Sequence, residues 1–293
     1  MGISENPQPE HPSTYFVTDR SSQDEMNRLL VQDQMLTANM GGVLAEQTDP
    51  ASFRRVLDVG CGSGGWLLNV ATAYPSISLL IGVDVSRKMV DFARGQSAAQ
   101  QLSERLEYHT MDALRMLEFP NAFFSLVNQR TAAGYLRTWD WPKLLQEYWR
   151  VLHSNGIVRI TEGDWLGTSN SPALTRLLEI VLAAFYQAGH SFTSTGDGVT
   201  AHLAGLLKQA GFENIQTHVH VQEYRAGTEN RRLFIEDMRL TFRTVVPFLE
   251  KWTRLPADYD AIYQQALEEM QRPDFIVTGN LLTIWGVKSP VPV

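Results

Sequence analysis

Glycine is concentrated in one short segment of the chain, directly after an apolar run. The segment RRVLDVGCGSGGW, residues 54 to 66, has glycine at positions 60, 62, 64 and 65. Glycine loses more conformational freedom on folding than any other residue, so this density is unfavourable unless something must come close to the backbone there. A glycine-rich turn that leaves a strand and opens a helix directs backbone N–H groups toward a ligand. We therefore predict a strand, a ligand-binding turn and a helix at this point.

Strand-like and helix-like segments alternate through the first half of the chain. Short apolar runs lie at 55–59, 79–84, 106–112, 123–128 and 156–162. The segment between the last two runs has the pattern of an amphipathic helix, with Pro142 in its first turn and Gly156 at its end. Strands that alternate with helices build a mostly parallel sheet covered on both faces. We predict a doubly wound, Rossmann-like α/β fold with a mostly parallel, seven-stranded sheet and an added helical cap.

The second half of the chain adds helices and two further strands. Helices are predicted at 173–189 and 199–212, a strand at 214–226 and a last strand at 275–288. Two helical stretches precede that last strand, and we expect Pro247 to kink or end the first of them.

The N-terminal part of the chain indicates a tail followed by a helix. The first thirteen residues are rich in Pro, Ser and Glu, which is typical of a mobile segment. Ser22 and Glu25 have the spacing of a capping box, so we predict a helix that starts there and ends at Gly41 and Gly42. The predicted units are a flexible tail (1–20) and one domain (21–288), whose cap elements are 21–45 and about 227–274.

Composition and charge argue against several classes of protein. The formal charge of −7 disfavours a nucleic-acid-binding protein that relies on phosphate neutralisation. The single cysteine excludes an internal disulfide and a cysteine-rich metal site, and two alternating histidines, His218 and His220, are a weak basis for a metal site. No apolar run reaches the ~18 residues of a membrane span, and the N-terminus does not resemble a signal peptide. We expect a cytoplasmic protein, monomeric or homodimeric, that binds no metal, nucleic acid or membrane.

An acidic residue before the glycines distinguishes between two classes of ligand. Dinucleotide-binding turns follow a Gly-x-Gly-x-x-Gly pattern and place a pyrophosphate at the start of the helix. Here positions 66 and 67 lack glycine, and Asp58 lies two residues before Gly60. A carboxylate at that position would repel a pyrophosphate but attract a cation, such as the ammonium group of an amino-acid ligand. A nicotinamide dinucleotide is therefore disfavoured.

Five segments, taken together, resemble the motifs of the class I S-adenosylmethionine-dependent methyltransferases. They are VLDVGCGSGGW, IGVDVS, MDAL, FSLVNQRTAAGYL and LLQEYWRVLHSNGIVRITEGDW. The resemblance covers roughly residues 50–165, and its specificity lies in the order and spacing of the whole set. It implies a methyltransferase with S-adenosyl-L-methionine as cofactor and, for this type of family member, a small-molecule acceptor.

The resemblance also implies roles for individual residues. Asp84, at the end of the second strand, matches the acid that holds both ribose hydroxyls, and Asp112 matches the acid that accepts a hydrogen bond from the adenine amino group. Tyr15 matches an N-terminal aromatic residue that closes over the cofactor in some relatives. The expected cofactor contacts are Asp58, Gly60, Cys61, Gly62, Asp84, Val85, Met111, Asp112, Ala113, Asn128 and Tyr15.

The fourth strand departs from the family pattern. Family members often have an acid near the start of this strand, where Ser125 stands here, and the strand leaves through Asn128, Gln129 and Arg130. Asn128 is suited to capping the following turn. Arg130 either contacts substrate or cofactor or forms an ion pair at the surface.

Methyl transfer from a sulfonium needs alignment more than acid–base catalysis. The protein must place a nucleophile in line with the methyl group and exclude water, and it needs a general base only for a weakly acidic acceptor. The candidates for a base are His190, Glu162 and Asp164, of which the last two follow the fifth strand at the carboxyl edge of the sheet. We expect proximity to dominate, with no single residue acting as an essential base.

The acceptor is expected to be a medium-sized, fairly hydrophobic small molecule, a class that includes secondary metabolites. The predicted cap is rich in apolar and aromatic residues, among them Phe234, Met238 and Phe242, which suit such a molecule but also suit ordinary packing. Two alternatives stay open. One is a methyltransferase that acts on protein or RNA, and the other is a cofactor-binding protein of this fold that is regulatory or catalyses a different reaction.

Overall fold

Five parallel strands carry the glycine turn in the middle of the sheet. The computed structural model describes residues 14–17, 22–164 and 167–290. The strands are β1 (Arg55–Val59), β2 (Leu79–Asp84), β3 (Leu106–Thr110), β4 (Phe124–Arg130) and β5 (Leu152–Gly163). They lie in the order β3-β2-β1-β4-β5, and all are parallel. The order reverses between β1 and β4, and open α/β sheets bind ligands at such a point, outside the carboxyl ends of the strands.

Antiparallel strands complete the sheet. Strand β8 (Ile276–Lys288) runs antiparallel to β5, and β7 (Phe212–Arg225) runs antiparallel to β8. The two-residue strand β6 (Thr168–Ser169) pairs with the start of β8. The doubly wound, mostly parallel fold is confirmed, and β6 is a short addition to the seven predicted strands.

Helices cover both faces of the parallel strands and form a cap beyond them. Pro247 lies in the first turn of its helix, directly after the predicted break, because proline fits the start of a helix but not its interior. The helices are α1 (Gln23–Asn39), α2 (Gly65–Ala73), α3 (Arg87–Ala99), α4 (Trp141–Val151), α5 (Pro172–Gln187), α6 (Thr200–Gln209), α7 (Glu229–Thr244), α8 (Val246–Trp252) and α9 (Tyr259–Gln271).

The transition from α4 into β5 differs from the prediction. The helix ends at Val151 and the strand begins at the next residue, so Gly156 lies within the strand instead of closing the helix. Asn155 has a left-handed φ of +65°, and the register between β4 and β5 shifts in this region. The Asn-Gly pair therefore forms an irregularity in the strand. The prediction failed because helix ends and strand bulges both favour residues that can adopt a left-handed backbone conformation.

Part of the predicted tail packs against the cap. Residues 1–13 and 18–21 lie outside the described residues, but Phe16 and Val17 are buried in an apolar cluster shared with α1, α5, α7, α8 and α9. The Phe16 ring lies 5.5 Å from the Phe185 ring of α5, measured between centroids. The cap thus includes α5, whose apolar pattern alone does not distinguish it from a core helix.

A series of buried polar groups connects the turn after α1 to the middle of the sheet. Arg159 on β5 pairs with Glu46 at 2.6 Å and donates to Asn128 Oδ1 on β4 at 2.7 Å. Asn128 Nδ2 in turn donates to Asp58 Oδ1 on β1 at 2.7 Å. Burial alone would raise the pKa of Glu46, but the charge and hydrogen bond of Arg159, together with hydrogen bonds from Gln47 and the local backbone, hold that pKa below its ordinary value. Asp58 is therefore oriented directly by Asn128 of the neighbouring strand β4 and, through Asn128, by Arg159 of β5.

Replacing Arg159 with methionine should lower the free energy of unfolding by about 3–5 kcal/mol, because Glu46 would stay buried without its partner. Urea unfolding followed by circular dichroism measures the difference. The double variant Arg159→Met/Glu46→Leu should recover most of the loss, since it removes the uncompensated charge as well. An Arg159→Met variant as stable as the wild type would contradict the buried ion pair.

Candidate functional site

The glycine turn between β1 and α2 adopts backbone conformations that other residues rarely tolerate. The φ angle is +70° at Gly60, +51° at Gly62 and +79° at Gly64. A Cβ on Gly60 would lie 2.7 Å from the Tyr135 hydroxyl, and a Cβ on Gly64 would lie 2.8 Å from Ala93 Cβ. A Cβ on Gly62 would meet only Leu29 Cδ1, at an ordinary contact distance of 3.9 Å, and this glycine lines a cavity of about 320 Å³, called the main cavity below. The turn therefore combines close packing at Gly60 and Gly64 with a backbone that borders the cavity at Gly60 and Gly62.

Asp84 and Asp112 lie at the carboxyl ends of β2 and β3 and line that same cavity. Asp84 accepts the N–H of Gly62 through Oδ2 at 3.0 Å and the N–H of Ser86 through Oδ1 at 2.8 Å. Asp112 accepts the N–H of Leu114 at 2.9 Å. These backbone donors fix the orientation of both carboxylates at the rim of the cavity. The neighbouring residues that also line it are Val85, Met111 and Ala113.

Asp58 lines a second, smaller cavity with a volume of about 60 Å³. Gly60 lines both cavities, so the two adjoin. Burial raises the pKa of Asp58 to about 6, against the opposing effects of the Arg130 charge and the hydrogen bond from Asn128. A cation in this cavity would favour the ionised form of Asp58. Cys61 also lines it, and burial raises the pKa of the thiol well above its ordinary value.

Arg130, at the end of β4, lines both cavities. Its Nη2 lies 2.5 Å from Asp33 of α1 in an ion pair. Its Nη1 is buried and has no hydrogen-bond partner among the residues that the structure describes. A buried donor without a partner is unfavourable, so an anion placed here would complete its hydrogen bonds. Asp58 and Arg130 thus offer opposite charges to one small space, as the ammonium and carboxylate of an amino acid require.

The main cavity extends from the Asp84 and Asp112 rim into the cap and has a volume of about 320 Å³. Tyr15 lines it, with a hydroxyl that donates to Glu25 at 2.5 Å and accepts from Arg28 at 2.8 Å. Much of the cap side is apolar. The apolar residues there are Met35, Leu178, Val181, Phe234, Met238, Phe242 and Val277.

The three predicted candidates for a general base occupy different environments. Glu162 lines the main cavity, accepts backbone N–H groups and is buried, which raises its pKa to about 8. Asp164 also lines the cavity, and its Oδ1 accepts the Thr200 hydroxyl at 2.6 Å. His190 lies outside the set of described residues that line the cavity. Its Nδ1 contacts the Leu136 carbonyl at 2.9 Å, and burial lowers its pKa to about 4, so it is a neutral core residue.

Several polar groups that line the cavity have no local signal in the sequence. The Tyr135 hydroxyl is buried without a partner in the described part of the chain, and so are Gln222 Nε2 and Thr241 Oγ1. Asp237 lines the cavity one helical turn before Thr241, and burial raises its pKa to about 6. Helical spacing places Asp237 and Thr241 on one face of α7, and alternation assigns Gln222 to one face of β7. Only the packing of the two elements shows that these faces line a cavity.

Two other features from the sequence lie away from the cavity. Ser125 stands at the amino end of β4, where its Oγ accepts the N–H of Arg55 at 3.2 Å and connects β4 to β1 at the edge opposite the site. His218 and His220 lie side by side on β7, with ring centroids 4.4 Å apart. Across residues 14–17, 22–164 and 167–290, no three metal-ligating side chains cluster together. None of the helices described there is both long and apolar enough to cross a membrane.

Comparisons with known proteins agree on the kind of domain. A family profile described as "Methyltransferase domain" matches residues 56–156. The demethylmenaquinone methyltransferase of Porphyromonas gingivalis is 30% identical over 176 residues, which are 56% of this chain and 70% of that protein. The 27-O-demethylrifamycin SV methyltransferase of Amycolatopsis mediterranei is 24% identical over 87% of this chain and 79% of its own length.

Other matches are shorter or concern the fold alone. Two further curated relatives are 38% and 36% identical over 111 and 107 residues, and the chain spans only 44% and 35% of their length. Among solved structures, phosphoethanolamine N-methyltransferase 2 of Haemonchus contortus, in complex with S-adenosylhomocysteine, has a TM-score of 0.58 at 19% identity. That match covers 97% of this chain and 62% of the other.

Glu162 should make the free protein less stable as the pH rises from 5 to 8. Its folded-state pKa of about 8 lies above its ordinary value of 4.5, so within this window the folded state holds a proton that the unfolded chain releases. The stabilisation of the folded state that this proton provides is fully present below pH 4.5. It falls as the pH approaches 8, by up to about 4 kcal/mol. The Glu162→Gln variant should show a flatter dependence in urea unfolding at pH 5, 6.5 and 8. The exposed-site variant Glu118→Gln should follow the wild type, and equal slopes in all three proteins would contradict the burial of Glu162.

Proposed function

The chain belongs to the class I S-adenosylmethionine-dependent methyltransferase family, and on that premise we propose that it methylates a medium-sized, mainly apolar small molecule. One observation carries the proposal. A single cavity joins the rim formed by Asp84 and Asp112 to the apolar side of the cap, so a cofactor and an acceptor can lie in contact within it.

The residues around the glycine turn fit S-adenosylmethionine, the cofactor of that family. We assign the ribose hydroxyls to Asp84 and the adenine amino group to Asp112. Gly62 lines both cavities, so its backbone borders the space that the cofactor would share between them. Asp58 and the unpartnered N–H of Arg130 suit the ammonium and carboxylate of the methionine part. Asn128 acts behind Asp58 through its hydrogen bond to that carboxyl group.

The chain's contribution to the chemistry is alignment and exclusion of water. When bound, S-adenosylmethionine supplies a methyl group that its sulfonium makes electrophilic. Glu162 is largely protonated near neutral pH, and Asp164 is engaged by a threonine hydroxyl. His190 is buried among core residues. We therefore infer that the acceptor brings its own nucleophilic oxygen, nitrogen or carbon, and that in-line placement of this atom supplies most of the rate enhancement.

The cap side of the cavity supports an apolar small-molecule acceptor. Its lining is mainly aliphatic and aromatic, with few polar groups, as in pockets that bind such molecules. Two relatives are named for small-molecule acceptors, demethylmenaquinone and 27-O-demethylrifamycin SV. The net charge of −7 gives no support to a nucleic-acid acceptor.

Transfer of a labelled methyl group tests the proposal directly. The purified protein is incubated with S-adenosylmethionine that carries a trideuterated methyl group and with fractionated metabolite extracts, and mass spectrometry detects products. We expect protein-dependent labelling of one or a few small molecules. Label that appears only in protein or RNA would indicate a macromolecular acceptor. Cofactor binding without any labelled product would favour a regulatory or non-methyl-transfer protein.

The Asp84→Ala variant should bind S-adenosylmethionine more weakly by about 1–3 kcal/mol, because two ribose hydroxyls would lose a charged acceptor. Isothermal titration calorimetry gives the dissociation constant, and circular dichroism confirms the fold. The exposed aspartate of α3 provides a matched control, since Asp91→Ala should leave the affinity unchanged. Unchanged affinity in a folded Asp84→Ala variant would contradict the ribose assignment.

The Phe242→Leu variant should impair acceptor turnover without affecting cofactor binding, because Phe242 lines the cap side of the cavity. We expect kcat/KM for the acceptor found by methyl labelling to fall by about tenfold. Phe212 is equally buried but packs against Trp149 in the sheet core, so Phe212→Leu controls for lost volume. Equal acceptor kinetics in both variants would place the acceptor elsewhere.

A further inference from the structure

A directional series of hydrogen bonds runs from the outer part of the cap to the main cavity. Asn230 Nδ2 on α7 donates to Asn39 Oδ1 on α1 at 2.7 Å, and Asn39 Nδ2 donates to the Tyr224 hydroxyl on β7 at 3.0 Å. The Tyr224 hydroxyl then donates to Gln222 Oε1 at 2.9 Å. Each side chain accepts a hydrogen bond from the one before it and donates to the next. The series ends at Gln222, which lines the cavity.

This series determines which atom of the Gln222 amide is left for a ligand. A tyrosine hydroxyl has one proton, and because Tyr224 accepts from Asn39, that proton is directed to Gln222 Oε1. Gln222 Nε2 is therefore the atom without a partner in the described part of the chain, and it is buried. A buried amide N–H that lacks a partner is unfavourable, so a ligand oxygen that accepts from it gains affinity.

Thr241 presents a second buried donor to the same cavity. It lies two helical turns after Phe234 on α7, and the Phe234 ring stacks on the Tyr224 ring with centroids 4.5 Å apart. This stacking packs α7 against the end of the hydrogen-bond series. Thr241 Oγ1 is buried, and no partner for it exists among the described residues.

The charged groups on the cap side of the cavity are unsuited to an anion. Arg28 donates to Glu25 at 2.7 and 2.8 Å, to Asp237 at 3.3 Å and to the Tyr15 hydroxyl at 2.8 Å, so each of its three guanidinium nitrogens is engaged. Two carboxylates against one guanidinium leave the cluster with a net negative charge when both are ionised. Negative charge of this kind repels carboxylates and phosphates but has little effect on an uncharged molecule.

We propose that Gln222 and Thr241 bind an uncharged carbonyl oxygen of the acceptor, and that the Glu25–Arg28–Asp237 cluster excludes acceptors with an anionic group there. The inference rests on the proposed function, because it takes the cap side of the cavity as the acceptor site. Tyr224 is then a positioning residue that fixes the Gln222 amide. The substrate class is an apolar molecule that carries a ketone, ester or amide carbonyl.

Three matched probes test this subsite without requiring methyl transfer. They are 6-acetyl-2-naphthol, 6-ethyl-2-naphthol, which lacks the carbonyl, and 6-hydroxy-2-naphthoic acid, which is anionic at pH 7. Calorimetry measures their binding to protein saturated with S-adenosylhomocysteine. In the wild type we expect the ketone to bind about tenfold more tightly than the ethyl compound and than the acid.

Substitutions assign the preference to individual groups. Gln222→Leu should abolish the ketone's advantage over the ethyl compound, and Tyr224→Phe should reduce it, because the amide loses the hydroxyl that orients it. Gln216 is an exposed glutamine on the same strand, so Gln216→Leu should retain the full preference. Retained S-adenosylhomocysteine affinity shows that each variant is folded.

Several results would overturn the subsite. They are equal wild-type affinities for the ketone and the ethyl compound, a preference that survives Gln222→Leu, an acid that binds as well as the ketone, and binding of none of the probes. Failure of the wild type to bind S-adenosylhomocysteine would instead contradict the proposed function, so the two failures can be told apart.

Discussion

The ion pair between Arg159 and Glu46 orients Asp58, the carboxyl group that our proposal assigns to the cofactor. Through Arg159 the pair fixes Asn128, and Asn128 fixes Asp58 beside the smaller cavity. Polar groups in a protein interior stabilise one arrangement only when each has its partners. Here the partners come from β1, β4, β5 and the turn after α1, so the same contacts that align the strands also orient the carboxyl group of the site.

Three buried carboxyl groups around the two cavities have raised pKa values, and different groups oppose the effect of burial in each case. The Arg130 charge and the Asn128 hydrogen bond lower the pKa of Asp58, backbone N–H groups lower that of Glu162, and Arg28 lowers that of Asp237. A cation that binds next to Asp58 lowers its pKa and so releases a proton near pH 6. Low-dielectric surroundings strengthen such charge pairs, so the affinity of the smaller cavity for a zwitterionic ligand would depend on the pH.

The parallel half of the fold was predictable because its signals are local. Apolar runs, the Ser22 cap and the glycine turn each act within a few residues, and the strand ends place Asp84 and Asp112 at one edge of the sheet. The predicted helix end at Gly156 was wrong, because glycine occurs both at helix ends and at irregular positions within strands. The proposed acceptor side was not predictable, because Gln222, Thr241 and Asp237 meet only through the packing of β7, α1 and α7. His190 shows the same limit, since an isolated histidine in a sequence does not reveal whether it faces a cavity or the core.

Helix α1 contributes to both cavities at once. It supplies Asp33 to Arg130 beside the smaller cavity and Arg28 to the lining of the larger one, and its Asn39 donates to Tyr224, which lines the larger cavity. If α1 shifts as a rigid unit when one ligand binds, the shift would also change the other cavity. Such coupling is reciprocal: the factor by which the cofactor changes acceptor affinity is also the factor by which the acceptor changes cofactor affinity. On the proposed assignment, release of the spent cofactor and release of the methylated product would therefore be linked through helix α1.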